Sequence, residues 1–310
     1  YITGGIGARG GGEAFGADYE LPNASAYCET CAAIANAMWN HRMFLLTGEA
    51  KYIDVLERVI YNGFLSGISL EGDKFFYQNP LETAKGRSRS SWFGCACCPS
   101  NVVRVVPAIP GYVYARRGRT IYVNLFVKSE ATIKIGSRSV KLKQQTRYPW
   151  DGKVRISLEP SGRAMRFAVL VRIPGWARNE PIPSRLYRFM KELQQKPRLK
   201  VNGQDVPIVL EKGFVRIERR WGKGDSIELE LPMPVRRVVS HDSVTANRGR
   251  VALQRGPIVY CLEFADNEDG QVLNLCITDD AELQSEFRAN LLGGVVIVKG
   301  RAIAAKRQLL

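Results

Sequence analysis

No apolar run in the 310 residues is long enough to cross a membrane, and every candidate stretch is cut by charge. Acidic residues are in deficit, 30 against 45 Lys and Arg, which leaves a net charge of +15. Cysteines number seven, an odd count in a chain large enough to bury a core without cross-links. That argues against a secreted disulfide scaffold. There is no long internal repeat and no low-complexity tract. The opening YITGGIGARGGGEAFG has neither a basic start nor an apolar stretch, so it does not read as a signal peptide. It also begins without methionine and in mid-phrase, so the chain reads as a piece of a longer protein.

What is present is ordinary for a globular protein: 45% hydrophobic and 24% charged residues, and a length sufficient for two domains. A basic excess can serve a nucleic acid, a membrane surface or an acidic polymer. Here the basic clusters are Arg116, Arg117 and Arg119, then Arg216, Arg219 and Arg220, then Arg236 and Arg237. They are scattered, lie mostly at outward positions of strand-like segments, and accompany no nucleic-acid motif. They read as a solvated face, with no nucleic-acid and no membrane partner.

Residues 1 to about 115 read as helical. ETCAAIANAMWNHRMFLLTG is Ala-rich, carries Ile34, Met38 and Leu45 near one stripe, and stops at Gly48. EAKYIDVLERVIYNGFLSGI places Tyr52, Val55, Leu56, Val59, Ile60 and Phe64 at amphipathic helical spacing. A third helix is expected after Pro99, capped by Ser100 or Asn101, and broken by Pro107 and Pro110. From about residue 118 the period becomes two. TIYVNLFV, ATIKIG, KVRISLE, RFAVLVRIPGW, RLKVNG, FVRIERRW and SIELELP read as short antiparallel strands of a β-sandwich. PSRLYRFMKELQQKP reads as a polar, partly helical insert, and the signal weakens after Asp266.

Three stretches can carry chemistry. GIGARG, Gly5 to Gly10, matches the dinucleotide fingerprint, but no strand precedes it and no βαβ unit surrounds it, so the Rossmann reading fails. A Gly-rich loop ending in Glu13 remains. A carboxyl in such a loop can serve as a general acid, or it can be a surface glutamate on a mobile loop. CETC followed by CACC is the stronger signal. Soft thiolates with one carboxylate suit Zn²⁺. Glu29 and Cys31, two residues apart, can bind together only at an irregular helix start. On spacing alone a closed structural zinc site, a metal-held thiolate nucleophile, a vicinal disulfide and inert buried thiols all fit. Cys261 and Cys276 read as buried small apolar groups.

The phrases YITGGIG, GEAFG, DYELPN, AYCETCA, YNGFLSGISL, FFYQNPLE and WFGCACCPSN together resemble glycoside hydrolase family 127, the β-L-arabinofuranosidase family. VRIPGWA, VNG and QRGPIVY extend the resemblance to about residue 265. It implies an α + β multidomain fold. Residues 1–117 would form the C-terminal half of an (α/α)₆ catalytic barrel, and 118–265 an antiparallel, jelly-roll-like β-sandwich. Residues 266–310 would form a further, truncated β segment. It implies a retaining exo-glycosidase acting on a carbohydrate, releasing β-L-arabinofuranose from plant cell-wall glycans or glycoproteins. The alternatives are a related pectin-sugar hydrolase, for example for aceric acid, and a non-catalytic carbohydrate-binding or structural zinc protein.

The resemblance further implies a Zn²⁺ held by Glu29, Cys31, Cys97 and Cys98, with Cys97 as nucleophile and Glu13 as acid/base. Tyr77 would sit beside the nucleophile and the sugar. Cys95 is expected to pack, and Cys28 has no implied role. The family's sugar-holding histidines come from the other half of the barrel, and neither His41 nor His241 matches them. The isolated chain is therefore expected to be weakly active or inactive. The sequence leaves the compartment open between bacterial cytoplasm and periplasm.

Overall fold

The computed structural model describes residues 1–84, 86–267 and 271–305. Helix α1, Thr30–Thr47, ends where Gly48 takes φ +68° and donates its N–H to Phe44 O at 2.7 Å. Glycine accepts that left-handed conformation without steric cost. Helix α2, Ala50–Arg58, runs directly into a wider π-turn, Val59–Phe64. Ala33, Ile34, Ala37 and Phe44 share one core with Ile53, Leu56, Val59, Ile60 and Phe64. Leu45, expected on the α1 stripe, is exposed. The last turn is instead rolled inward by Phe44, whose ring packs on Tyr122 and Phe214.

Helix α3, Cys97–Val105, begins before Pro99 rather than after it. Proline is tolerated there because a first-turn N–H has no intrahelical acceptor to lose. Ser100 and Asn101 are consequently inside the helix, and the Ser100 hydroxyl donates back to Ala96 O at 2.9 Å. The helix stops two residues short of Pro107, and Pro110 opens a single short turn, Pro110–Val113.

Strands follow from Tyr114. A five-stranded sheet has the order β1 (Tyr114–Arg117), β2 (Thr120–Val123), β6 (Met165–Arg172), β11 (Phe214–Trp221), β10 (Leu210–Glu211). A six-stranded sheet has the order β3 (Ser129–Ile135), β4 (Arg138–Thr146), β5 (Lys153–Pro160), β12 (Asp225–Glu230), β8 (Arg198–Val201), β9 (Gln204–Asp205). Every phrase expected to be a strand contributes one. One pair departs from the expected antiparallel pattern: β2 and β6 are parallel, with Ile121 opposite Val169. The chain crosses to the six-stranded sheet between them and returns in the same direction, which a long connection permits. PSRLYRFMKELQQKP supplies a strand rather than a helix: β7 (Tyr187–Phe189) edges a third sheet with β13 (Val235–Ser240), β14 (Ala252–Arg255) and β15 (Ile258–Tyr260). Beyond Asp266, Leu283–Arg288 and Val295–Gly300 form a hairpin.

The two larger sheets enclose one core, with Val169 and Val171 of β6 facing Ile156, Leu158, Ile227 and Leu229. The alternate β6 residues, Ala168 and Leu170, face the helices instead. Burial on both faces explains the nearly continuous apolar run in FAVLV. The helices therefore rest on the outer face of the sandwich. Buried Arg58 ties this layer to the third sheet: it donates to Ile2 O at 2.9 Å, Pro181 O at 2.5 Å and Gln254 Oε1 at 3.1 Å. Cys261 and Cys276, expected inside, are exposed. Cys261 directly follows β15, and Cys276 ends a two-residue strand, Leu275–Cys276.

Candidate active site and metal centre

The segment before α1 pairs with residues 76–79. Glu29 forms an isolated antiparallel bridge with Gln78, Thr30 N donates to Tyr77 O at 3.0 Å, and Thr30 Oγ1 donates to Phe76 O at 2.7 Å. Glu29 occupies the N-cap position of α1 with extended φ/ψ of −60° and 142°. This is the irregular start that lets Glu29 and Cys31 face one point. Cys97 and Cys98 are the first two residues of α3, so two helix N-termini converge on the same place. Their positive ends favour anionic side chains there.

One ligand atom from each of Glu29, Cys31, Cys97 and Cys98 lies within 4.8 Å of the others. Cys31 Sγ is 3.4 Å from Cys98 Sγ, which is 3.8 Å from Cys97 Sγ. Glu29 Oε1 lies 3.3 Å from the Cys97 sulfur and 3.6 Å from that of Cys98. Glu29 and Cys98 are buried, and Cys31 and Cys97 are half-buried. Burial pushes the Cys31 thiol up to about 12 and raises Cys98 as well. Ionising these sulfurs together requires a cation among them. Three soft donors and one carboxylate, closely spaced and mostly removed from water, fit a metal ion. All seven cysteines are free thiols, which removes the vicinal disulfide.

Glu13 meets the cluster through Tyr77. It ends a tight 3₁₀ turn, Gly11–Glu13, inside a loop closed by Arg9 N to Ala14 O at 3.0 Å and Ala14 N to Arg9 O at 3.1 Å. Its own φ is +51°, a left-handed conformation uncommon for glutamate, and Gly12 beside it has φ +71°. The Arg9 Nε donates to Glu20 Oε1 at 2.6 Å and braces the loop, holding the Glu20 carboxyl down at about 2. The Glu13 carboxylate accepts the Tyr27 hydroxyl at 2.6 Å and the Tyr77 hydroxyl at 3.4 Å. Tyr77 Oη is also 3.4 Å from Cys97 Sγ, so one phenol stands between the loop carboxylate and the helix thiol. That contact, with burial, raises the Tyr77 phenol.

Three family profiles match in succession: the family 127 β-L-arabinofuranosidase catalytic domain over 1–111, its middle domain over 120–233, and the family's C-terminal domain over 235–299. The chain belongs to glycoside hydrolase family 127. A non-reducing end β-L-arabinofuranosidase of Bifidobacterium longum subsp. longum is 36% identical over 313 residues, covering 95% of this chain and 44% of that protein. A solved family 127 β-arabinofuranosidase superposes with TM-score 0.94 at 47% identity, covering 98% of this chain and 48% of the other. The family 127 β-L-arabinofuranosidase of Geobacillus stearothermophilus T6 gives TM-score 0.88 at 44% identity, covering 97% and 47%. The chain thus spans about half the length of the relatives it matches.

This family 127 chain brings together all six residues singled out in the sequence: Glu13, Glu29, Cys31, Tyr77, Cys97 and Cys98. Cys95, expected to pack, is exposed on the loop before α3. Cys28 is buried outside the cluster, against Gly5, with φ +38°. Two further residues touch the site. Tyr27 holds Glu13, and Asn101 Nδ2 donates to Cys31 Sγ at 3.2 Å. Both lie in the phrases AYCETCA and CCPSN, and their position beside the ligands was the one available signal.

Proposed function

We propose that this chain carries the reacting groups of a retaining exo-glycosidase that releases β-L-arabinofuranose from plant cell-wall glycans or glycoproteins. The observation that carries the reading is the line from Glu13 Oε1 through the Tyr77 hydroxyl to Cys97 Sγ, 3.4 Å at each step, ending in the Glu29/Cys31/Cys97/Cys98 cluster. Names of family relatives support the sugar. In this reading residues 1–117 are part of an (α/α)₆ barrel, 118–265 a jelly-roll-like domain, and 266–310 a further β segment, of which 268–270 and 306–310 lie outside the described residues.

Zinc suits the four donors. Neighbouring sulfurs 3.4 and 3.8 Å apart with a carboxylate beside them make a thiolate-rich donor set of the kind that would hold zinc. Bound among Glu29, Cys31, Cys97 and Cys98, it would keep the thiols ionised at neutral pH. The Cys97 thiolate attacks the anomeric carbon, the glycosidic C–O bond breaks, and Glu13 gives its proton to the leaving oxygen. Glu13 then takes a proton from water, whose oxygen attacks the same carbon and expels the Cys97 thiolate. Two displacements retain configuration, with a thiolate in place of one carboxylate of the usual pair. Tyr77, in contact with both, sets the spacing at which the Cys97 thiolate and the Glu13 carboxyl flank the anomeric carbon from opposite faces.

The test is Cys97→Ser, assayed for zinc content and for hydrolysis of an aryl β-L-arabinofuranoside. Hydrolysis is expected to vanish, and its survival would remove Cys97 as nucleophile. An epoxide-bearing arabinofuranose analogue, followed by peptide mass spectrometry, reads the same point where turnover is slow. The adduct belongs on Cys97.

A further inference from the structure

Three thiolates and a carboxylate carry four negative charges, and a divalent cation cancels two. Among the described residues no Lys or Arg forms an ion pair with Glu29. A donated N–H offsets part of the charge that remains on a sulfur. Pro99, the third residue of α3, offers no N–H. The Asn101 amide donates to Cys31, whereas the Tyr77 hydroxyl beside Cys97 already gives its one proton to Glu13.

We infer that Asn101 is a positioning residue that locks the Cys31 sulfur in place as a metal ligand and offsets its charge. The inference rests on the metal-binding reading of the cluster. Asn101 lies four residues after Cys97 and three after Cys98, so all three share one face of α3. The helix that supplies two sulfurs thus reaches across to α1 and fixes the third. An N–H donor stabilises a thiolate more than a thiol, because the bond is charge-assisted. Outer partners of this kind orient ligands and tune what they hold. They also give the sulfurs different roles. Cys31 receives an N–H from outside the cluster, whereas the phenol beside Cys97 accepts from it and donates to Glu13.

The test uses Asn101→Ala, which removes the donor, and the isosteric Asn101→Asp, which sets a carboxylate against the sulfur. Zinc affinity is measured by chelator competition, and Co²⁺ loading gives the sulfur-to-metal charge-transfer band. Metal-free melting curves check that each variant folds. Zinc affinity should fall about 10- to 100-fold, more in Asn101→Asp than in Asn101→Ala. The cobalt band should move to lower energy, because a thiolate without its hydrogen bond is a better electron donor. A purely structural role for Asn101 would leave that band where it is. Parent-like affinity and an unmoved band in the folded variants overturn the inference while leaving the metal site standing. A parent chain that binds neither ion overturns both.

Discussion

The Tyr27 hydroxyl donates to Glu13 Oε1 across 2.6 Å, and Tyr27 stands two residues before Glu29. One short segment therefore aims the loop carboxylate and supplies the cluster's carboxylate. Glu13 is exposed and sits in a left-handed backbone conformation, so little else restrains its side chain. Tyr27 is buried, and burial together with the Glu13 contact raises its phenol, which keeps it a donor.

Tyr27→Phe keeps the ring and removes that bond. A hydrogen bond to a charged group contributes about 1.5–3 kcal/mol, equivalent to about 10- to 100-fold in rate. The loss should appear in kcat toward an aryl β-L-arabinofuranoside, with KM little changed, since Tyr27 lies behind Glu13. Parent-like kcat would mean that Glu13 is oriented by Tyr77 and the loop alone.

Metal binding should be steeply pH-dependent. Burial raises the thiols of Cys31 and Cys98, so both stay protonated at neutral pH when no cation is present. A metal ion must displace both protons, so affinity rises with pH and falls as pH drops. Two displaced protons correspond to about 100-fold in apparent affinity per pH unit. Calorimetry in buffers of different ionisation enthalpy counts the protons released. A flat pH profile would remove these thiols from the ligand set.

The Cys/Glu cluster was legible as a cluster. Residue types and spacing left a structural zinc site, a thiolate nucleophile, a vicinal disulfide and inert thiols open, and it was the family resemblance that singled out Glu29, Cys31, Cys97 and Cys98. Tyr27 and Asn101 were not legible, because a tyrosine beside an apolar run and an asparagine in a helix have many structural uses, and only their placement in space gives them this one. Period-two alternation marked the strands but carries no direction, so the parallel pairing of β2 with β6 was invisible. The start of α3 at Cys97 was hidden by Pro99, which breaks a helix interior but not its first turn. The exposure of Cys95, Cys261 and Cys276 reflects what lies over each segment, which local sequence does not record.

The joint between helices and sandwich rests on Arg172. It ends β6 with a fully buried side chain, donating to Asp54 Oδ1 at 2.6 Å, to Asn124 O at 2.5 Å and to Glu57 Oε1. Asp54 also meets Arg178 at 3.1 Å, so it keeps a cation if Arg172 is lost. Among the described residues Glu57 would keep only the Tyr148 hydroxyl as a hydrogen-bond partner, at 2.7 Å, with Arg58 acting on it at longer range. Arg172→Ala therefore leaves a buried carboxylate without its cation, a change that costs about 3–5 kcal/mol. Denaturant unfolding should show stability falling by that amount. Arg166→Ala, six residues earlier on the same strand, breaks only the exposed pair with Glu218 and should leave the midpoint unchanged. Adding Glu57→Gln to Arg172→Ala should recover part of the loss, because it removes the stranded charge. No recovery would locate the cost in the vacated volume rather than in the unpaired carboxylate.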